Sequence, residues 1–283
     1  MNLPSVLIIF FVAILADALG FYKFAYFVSL GYNLSVVANG IVILIMFRKS
    51  LTICTAILCA ILIIYGLRLG IYLFIREHKS SSFRNRKEGQ YSDGSNMNFF
   101  AKCSMWLGCG CIYACEVSPV FFRLKNATPD NTMAYVGIAI AVIGVLFESI
   151  GDQQKYNAKK ENPATFVSSG LYKIVRCPNY LGEILVWTGI FLSGITAYNS
   201  IWQWIIATFG YICIVSVMIS AVRTLEARQN KTYGMDERYQ MYVRKTPIIL
   251  PFIPIYTIPK GHTRRSRKNA QSPGTEPGRE TAS

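Results

Sequence analysis

Long apolar segments separated by short polar ones are the feature that most constrains this chain. A helix needs about 20 apolar residues to cross a bilayer. Stretches near that length lie at 4–20, 26–46, 51–75, 101–122, 132–150, 181–199 and 201–222. With 52% hydrophobic and 16% charged residues, the chain is too apolar for a soluble domain of 283 residues. The sequence therefore predicts an all-α, polytopic integral membrane protein with about seven transmembrane helices.

Two of these stretches leave alternatives open. The first is followed by small residues, as in a secretory signal peptide, but it lacks the preceding basic residues, so a membrane span is favoured. The connection between the last two, near residues 198–201, is very short, so the count is six to seven.

The basic residues predict how the chain is oriented. Lys and Arg of short loops concentrate on the cytoplasmic face, and one set of alternate loops, with the C-terminal tail, carries 24 of the 29 basic residues. The N-terminus is then non-cytoplasmic, whereas the longer loops and the C-terminus are cytoplasmic. A basic rim against anionic membrane lipids accounts for the net charge of +14, so no nucleic-acid partner is expected.

Composition divides the chain into three parts. Residues 1–50 form an N-terminal transmembrane hairpin and 51–258 form the main membrane domain. Within the latter, 78–100 is polar and rich in Ser, Asn, Gly and Lys, which predicts a flexible cytoplasmic loop. Residues 259–283 are basic and then small and polar, which predicts a disordered cytoplasmic tail.

A polar run that becomes an apolar helix, GLYKIVRCPNYLGEILVWTGIF at Gly170–Phe191, is the main candidate site. Gly170 permits a turn and Pro178 suits the first turn of a helix. Free N–H groups at that helix start, close to Arg176, would bind an anionic group such as a phosphate. The alternative is a capped helix whose polar residues only anchor it at the membrane interface.

Arg68 and Glu116 lie far from the ends of predicted spans. Arg68 is eight residues, or about 12 Å, inside Arg76. Tyr65 lies on the same side of that helix. Arg68 either faces a cavity or joins helices by hydrogen bonds. Glu116 likewise lines a cavity or makes a hydrogen bond between helices.

Polar groups elsewhere on the cytoplasmic rim extend the candidate site. Glu148, Asp152 and Lys155 share a helix face, which is either part of the site or a solvated helix end. Asp17, beside a predicted boundary, is expected to be solvated.

The cysteines of the fourth segment do not indicate a metal site. Cys103, Cys109, Cys111 and Cys115 contain no C-x-x-C pair, and both histidines lie in polar segments. We expect buried thiols that pack as small hydrophobic groups, and no metal.

Four motifs, in order, resemble the membrane branch of the steroid 5α-reductase superfamily. They are YGLRLGIYLFIR, ESIGDQQKYNAKKENP, GLYKIVRCPNYLGEILVWTGIFLSG and DERYQMYVRKTPIILPFIP, which together cover roughly Tyr65 to Pro254. The family pattern commonly has Arg-His-Pro-Asn-Tyr, and Cys177 stands here at the position of the histidine. This departure weakens any claim for an acid or base at that position.

The resemblance implies a reductase-like membrane domain that uses NADPH from the cytoplasmic side. It implies that the cofactor is bound at the cytoplasmic helix ends by Asp152, Lys155, Tyr172, Arg176, Asn179, Tyr180, Glu183, Arg223, Tyr239 and Arg244. It also implies that Tyr65, with Arg68 or Glu116, stabilises the oxygen of an α,β-unsaturated lipid-like carbonyl during hydride transfer. Such an enzyme would lie in the endoplasmic reticulum or another endomembrane of a eukaryote, or in the inner membrane of a bacterium.

Two other functions remain open. Isoprenylcysteine and phospholipid methyltransferases, which bind S-adenosylmethionine, carry a similar Arg-His-Pro-x-Tyr-x-Gly motif, but they typically show paired glutamates where this chain has Leu225 and Glu226. A lipid-binding membrane protein without activity is the third reading, because of Cys177. The lipid and the oligomeric state are not predicted.

Overall fold

The computed structural model describes residues 3–79, 97–251, 253 and 255–257. Most of the predicted loop at 78–100 and all of the predicted tail at 259–283 lie outside these ranges.

All regular structure in the described ranges is helical. The α-helices are α1 (Leu3–Asp17), α2 (Leu30–Met46), α3 (Ile53–Lys79), α4 (Phe99–Lys125), α5 (Thr132–Glu161), α6 (Pro178–Gly194), α7 (Ile201–Tyr233) and α8 (Glu237–Lys245). Short 3₁₀ turns lie at Ala18–Phe21, Phe24–Val28, Gly170–Lys173 and Ile195–Ala197. Each of the seven predicted apolar segments therefore contains a helix, which confirms the all-α prediction.

Five of these helices, α3 to α7, are long and apolar enough to cross a membrane. The helices α1 and α2 have only 15 and 17 residues. They are shorter than the predicted segments because two 3₁₀ turns, at Ala18–Phe21 and Phe24–Val28, occupy the chain between them. Five such helices fit a polytopic membrane protein, whereas six or seven spans stay a prediction.

Side-chain caps fix where several helices begin. Asn98, Asn131 and Ser200 accept hydrogen bonds from backbone N–H groups in the first turns of α4, α5 and α7. Asp236 does the same for α8. These residues satisfy amide groups that have no partner within the helix. Ser200 thereby allows α7 to start only seven residues after α6 ends.

Helices α5 and α6 pack more extensively than any other pair among the described elements. A Cβ atom added to Gly137, Gly144 or Gly182 would lie 2.5 Å from a backbone atom of the opposite helix. Small residues let membrane helices approach closely. This contact holds Glu148 and Asp152 of α5 against the start of α6.

The N-terminal helices close the other side of the core. Helix α1 packs on α2 and α4, and α2 packs on α3. The prediction that Asp17 is solvated was wrong, because its side chain is fully buried at the end of α1. The turn that follows α1 returns the chain over this residue, and Gly31 of α2 lies against it.

Candidate functional site

A buried group of hydroxyl, carboxyl and indole side chains joins α2, α3 and α6. The hydroxyl oxygens of Tyr32 and Tyr65 are 3.2 Å apart. Tyr32 donates to Glu183 Oε1 at 3.1 Å and accepts from Trp187 Nε1 at 2.8 Å. Tyr65 is fully buried and Tyr32 is 6% exposed. We call these four residues the tyrosine cluster.

A charged group continues this cluster toward the surface. Arg68 of α3 forms ion pairs with Glu148 and Asp152 of α5, and the Arg68–Asp152 pair has an N–O distance of 3.4 Å. The side chain of Arg68 is 21% exposed, whereas those of Glu148 and Asp152 are 3% and 7% exposed. The shared helix face predicted for the two carboxylates is therefore turned inward, and the alternative of a solvated helix end is wrong for them.

Glu116 of α4 is buried, and neither of its carboxyl oxygens makes a hydrogen bond with the described residues. The predicted bond between helices is thus not formed there. Its carboxyl group lies close enough to that of Glu183 for an electrostatic interaction between them. Glu116 therefore borders the tyrosine cluster without belonging to its hydrogen-bond network.

A second group lies around Arg176, just before α6. Arg176 Nη2 forms an ion pair of 2.9 Å with Glu226 of α7, and it also donates to the carbonyl of Tyr256. The backbone N–H groups of Arg176 and Cys177 donate to the carbonyls of Pro247 and Ile248, at 2.9 and 3.0 Å. The segment after α8 is therefore bound directly to the predicted motif.

Aromatic residues of α8 extend this second group. The Tyr239 hydroxyl donates to Asn230 Oδ1 at 2.8 Å, and the Tyr242 hydroxyl donates to the carbonyl of Tyr172 at 2.7 Å. Burial raises the pKa of Tyr172 above its ordinary value. The rings of Phe166 and Tyr242 stack with centroids 5.5 Å apart. We call Arg176, Glu226, Tyr239, Tyr242 and Tyr172 the rim cluster.

Cys177 occupies the position where the family pattern has a histidine. Its side chain is 2% exposed and packs with Val175, Leu181, Val222 and Ile248. Burial raises the pKa of the thiol to about 12. At neutral pH the group is therefore a protonated thiol in an apolar setting and cannot act as a base.

The predicted turn at Gly170 is confirmed by its φ of +61°. Asn179 and Tyr180 of the first turn of α6 are half-buried, and Lys155 of α5 is half-buried. The predicted cofactor residues Arg223 and Arg244 have exposed side chains on α7 and α8. Of the predicted cofactor residues, Glu183 therefore lies in the tyrosine cluster and Asp152 beside Arg68. Three lie in the rim cluster, and the others are half-buried or exposed outside both clusters.

A surface cavity of about 360 Å³ lies beside the rim cluster. It is lined by Thr165, Phe166, Ser168, Arg238, Met241, Tyr242 and Lys245. Of these lining residues, Tyr242 belongs to the rim cluster, and none belongs to the tyrosine cluster.

Sequence reasoning missed Tyr32 and Trp187. Tyr32 lies in a segment that was interpreted mainly as a membrane anchor, and no local motif distinguishes it from other interfacial tyrosines. Trp187 lies inside the main motif, but its helix was interpreted as apolar beyond Glu183. Only the tertiary fold, in which side chains of α2, α3 and α6 meet, brings these side chains to Tyr65.

Comparison with models of protein families identifies the family of this chain. The model of a family described as a protein of unknown function, DUF1295, matches residues 20–246. The chain belongs to this family. The family is part of the steroid 5-alpha reductase-like group.

Individual relatives are distant. The chain is 29% identical over 115 residues to uncharacterized protein C7D4.09c of Schizosaccharomyces pombe, which covers 40% of this chain and 39% of that protein. It is 28% identical over 158 residues to the very-long-chain enoyl-CoA reductase of Dictyostelium discoideum, which covers 55% of this chain and 47% of the enzyme. The matched region is thus less than half the length of each relative.

No solved structure matches. The similarity to methyltransferases finds no support in these comparisons.

Proposed function

We propose that this protein is an NADPH-dependent membrane reductase that reduces the C=C bond of an α,β-unsaturated, lipid-like carbonyl compound. The observation that carries the proposal is the fully buried Tyr65 hydroxyl, which lies in a hydrogen-bonded cluster among membrane helices. Membership in a reductase-like family and the similarity to an enoyl-CoA reductase support it. An enoyl thioester is itself an α,β-unsaturated carbonyl compound.

Tyr65 is the proposed catalytic residue. Hydride addition to the β-carbon moves the electrons of the C=C bond toward the carbonyl oxygen, which becomes an enolate oxygen. A hydroxyl donor in a site without water stabilises this developing charge more strongly than it would in water. Tyr65 would donate its O–H to that oxygen. Arg68 would act through the carboxylates it pairs with, by holding Glu148 and Asp152 in the site.

The residues around Arg176 fit the proposed cofactor. Arg176 Nε and Nη1 and Asn179 Oδ1 are buried and make no hydrogen bond with the described residues. Two guanidinium N–H groups suit a phosphate, and the amide oxygen suits a hydroxyl or the nicotinamide NH₂. Asp152 would accept from a ribose hydroxyl. NADPH, when bound, supplies the hydride.

The test is NADPH oxidation by purified protein in detergent, with trans-2-hexadecenoyl-CoA and a steroid enone as substrates. We expect NADPH absorbance to fall in the presence of at least one of them, with the saturated product identified by mass spectrometry. NADPH should also raise the melting temperature, since it binds the native state. If neither substrate is reduced and NADPH has no effect on stability, the proposal fails. A stabilising effect of S-adenosylmethionine would instead support a methyltransferase.

A further inference from the structure

The Tyr32 hydroxyl stands between Tyr65 and Glu183 and lies within hydrogen-bond distance of both. Its oxygen is 3.2 Å from the Tyr65 oxygen and 3.1 Å from Glu183 Oε1. The three side chains come from α3, α2 and α6, and all are buried. They therefore form a continuous row of oxygen atoms within the membrane domain.

The contact of Tyr32 with Trp187 limits which groups can accept the Tyr32 proton. The Trp187 indole N–H can only donate, so it occupies a lone pair of the Tyr32 oxygen. Tyr32 has one proton, which it gives either to Glu183 or to Tyr65 at any time. Since both acceptors are within 3.2 Å, the proton can change partner while Trp187 holds the oxygen in place. This is the arrangement that a proton relay requires.

The proposed reaction needs such a relay. Reduction of an enone consumes one hydride and one proton. Tyr65 is fully buried, so water cannot directly replace a proton that it gives to the substrate. We propose that Tyr32 replaces it, in a relay that runs from Glu183 through Tyr32 to Tyr65. This inference rests on the proposed reductase function and identifies its proton source.

The steps balance as follows. After hydride addition, the Tyr65 O–H bond breaks and its proton goes to the enolate oxygen. The relay starts with a proton on Glu183 Oε1 that is donated to Tyr32, the reverse of the direction in the structure, while Tyr32 donates to Tyr65. The Tyr32 proton then moves to the Tyr65 oxygen, and the Glu183 carboxyl proton moves to the Tyr32 oxygen. The resulting enol becomes the saturated carbonyl when its O–H proton is transferred to the α-carbon. Glu183 then takes one proton from the medium, which restores the relay.

The chain offers a matched control for Tyr32. Tyr113 is another buried tyrosine, and its ring centroid lies 5.0 Å from that of Tyr32. Its hydroxyl donates to the carbonyl of Phe27 at 2.6 Å, outside the relay. Tyr32→Phe and Tyr113→Phe each remove one buried hydroxyl from the same aromatic packing. Only Tyr32→Phe interrupts the row of oxygen atoms.

The first experiment compares these two variants of the full chain in detergent. We measure kcat and KM with trans-2-hexadecenoyl-CoA or the steroid enone, and the Kd of NADPH by fluorescence. For Tyr32→Phe we expect kcat to fall about 100-fold, within the range of general acid–base contributions. We expect KM and the NADPH Kd to stay close to those of the wild type. The solvent deuterium isotope effect on kcat should increase, because proton delivery becomes slow.

The second experiment tests whether Tyr32 and Glu183 act in one sequence. Tyr32→Phe, Glu183→Gln and the double variant are compared at saturating NADPH. When two residues act in one relay, the effects of their substitutions on kcat are not additive. The double variant should therefore have the kcat of the slower single variant. A kcat equal to the product of the two single effects would show independent action and overturn the relay.

Two further outcomes would also overturn it. One is a Tyr32→Phe protein with wild-type kcat, and the other is a Tyr113→Phe protein that loses as much kcat as Tyr32→Phe. In these cases the wild-type protein still oxidises NADPH, so the reductase proposal stands while the relay fails. If the wild-type protein oxidises no NADPH with either substrate and NADPH does not raise its melting temperature, the proposed function itself has failed, and the relay with it.

Discussion

The tyrosine cluster and the rim cluster are both built from polar side chains, but they are assembled in different ways. The tyrosine cluster joins residues up to 155 positions apart, such as Tyr32 and Trp187, through side-chain hydrogen bonds alone. In the rim cluster, backbone hydrogen bonds from Arg176 and Cys177 to the segment after α8 fix the position of the side chains. The first depends on helix packing, and the second on backbone hydrogen bonds between two segments that are distant in the sequence.

This difference suggests that the two clusters have different functions. The tyrosine cluster is closed and holds buried hydroxyl donors that can hydrogen-bond a developing negative charge without competition from water, which suits the chemical step. The rim cluster retains buried donors without partners on Arg176, which suits ligand binding. Arg68 and its two carboxylates lie between the closed interior and the protein surface, because Arg68 is the most exposed of the three.

The largest expected effect is at Arg68. Arg68→Ala leaves the carboxylates of Glu148 and Asp152 buried without their shared cation, which should lower the free energy of unfolding by about 3–5 kcal/mol. Arg68→Lys keeps the charge and should lower it less. Thermal unfolding in detergent measures both.

Arg223→Ala is the control for this experiment. Its side chain is exposed on α7, so the change should shift stability by at most about 0.5 kcal/mol. If the Arg68→Ala protein is no less stable than the Arg223→Ala protein, the ion pairs of Arg68 with Glu148 and Asp152 do not stabilise the fold.

The next effect concerns the helix contact beneath the tyrosine cluster. Gly144→Ala places a methyl group 2.5 Å from the backbone of Val186 and forces α5 and α6 apart. We expect a loss of about 1–3 kcal/mol, as for other overpacked sites, together with lower kcat because Glu183 moves with α6. Unfolding and NADPH oxidation measure the two effects.

Gly108→Ala is the matched control, because nothing lies within 4 Å of its added methyl group. Alanine favours a helix by up to about 1 kcal/mol over glycine, so this variant should be equally or more stable. Destabilisation at Gly108 as large as that at Gly144 would contradict the close-contact explanation.

A smaller effect is expected in the rim cluster. Tyr239→Phe removes the hydrogen bond to Asn230, whose exposed side chain can bond to water instead. The expected loss is about 1 kcal/mol. Asn230→Ala should cost about as much, and the double variant no more than either single one, because both remove one bond. Additive losses in thermal unfolding would show that the two side chains do not act through this bond.

The sequence predicted the parts of the fold that depend on local patterns. Apolar length predicted the helices, and Gly170 and Pro178 predicted the turn that precedes α6. The motif resemblance also brought Tyr65, Arg68, Asp152 and Glu183 into one candidate site, and the structure places them in adjoining groups. Whether they bind substrate and cofactor stays a prediction.

What the sequence did not predict depends on contacts between distant segments. Tyr32 joins the site only because α2 packs on α3, and the glycines of α5 matter only because α6 lies against them. The exposure of Arg223 and Arg244 depends on how α7 and α8 are rotated, which motif matching does not specify.

The last prediction concerns the buried thiol of Cys177, which follows Arg176 of the rim cluster directly in the sequence. Because burial raises the pKa of its thiol to about 12, the folded protein binds this proton more tightly than the unfolded chain does. The stabilising contribution of the thiol is therefore fully present below the unfolded pKa, near 8.5, and is lost as the pH rises toward 12. Cys177→Ala lacks this group, so its stability should fall less between pH 9 and pH 11 than that of the wild type. Thermal unfolding across that range measures the difference.

Cys103, which is half-exposed on α4, provides the comparison. At pH 8 a maleimide should modify Cys103 faster than Cys177 in the native protein, because the reagent can reach the partly exposed Cys103 side chain but not the buried Cys177 thiol. Rapid modification of native Cys177 would show that the packing around Arg176 is open, and the contrast between the two clusters would then disappear.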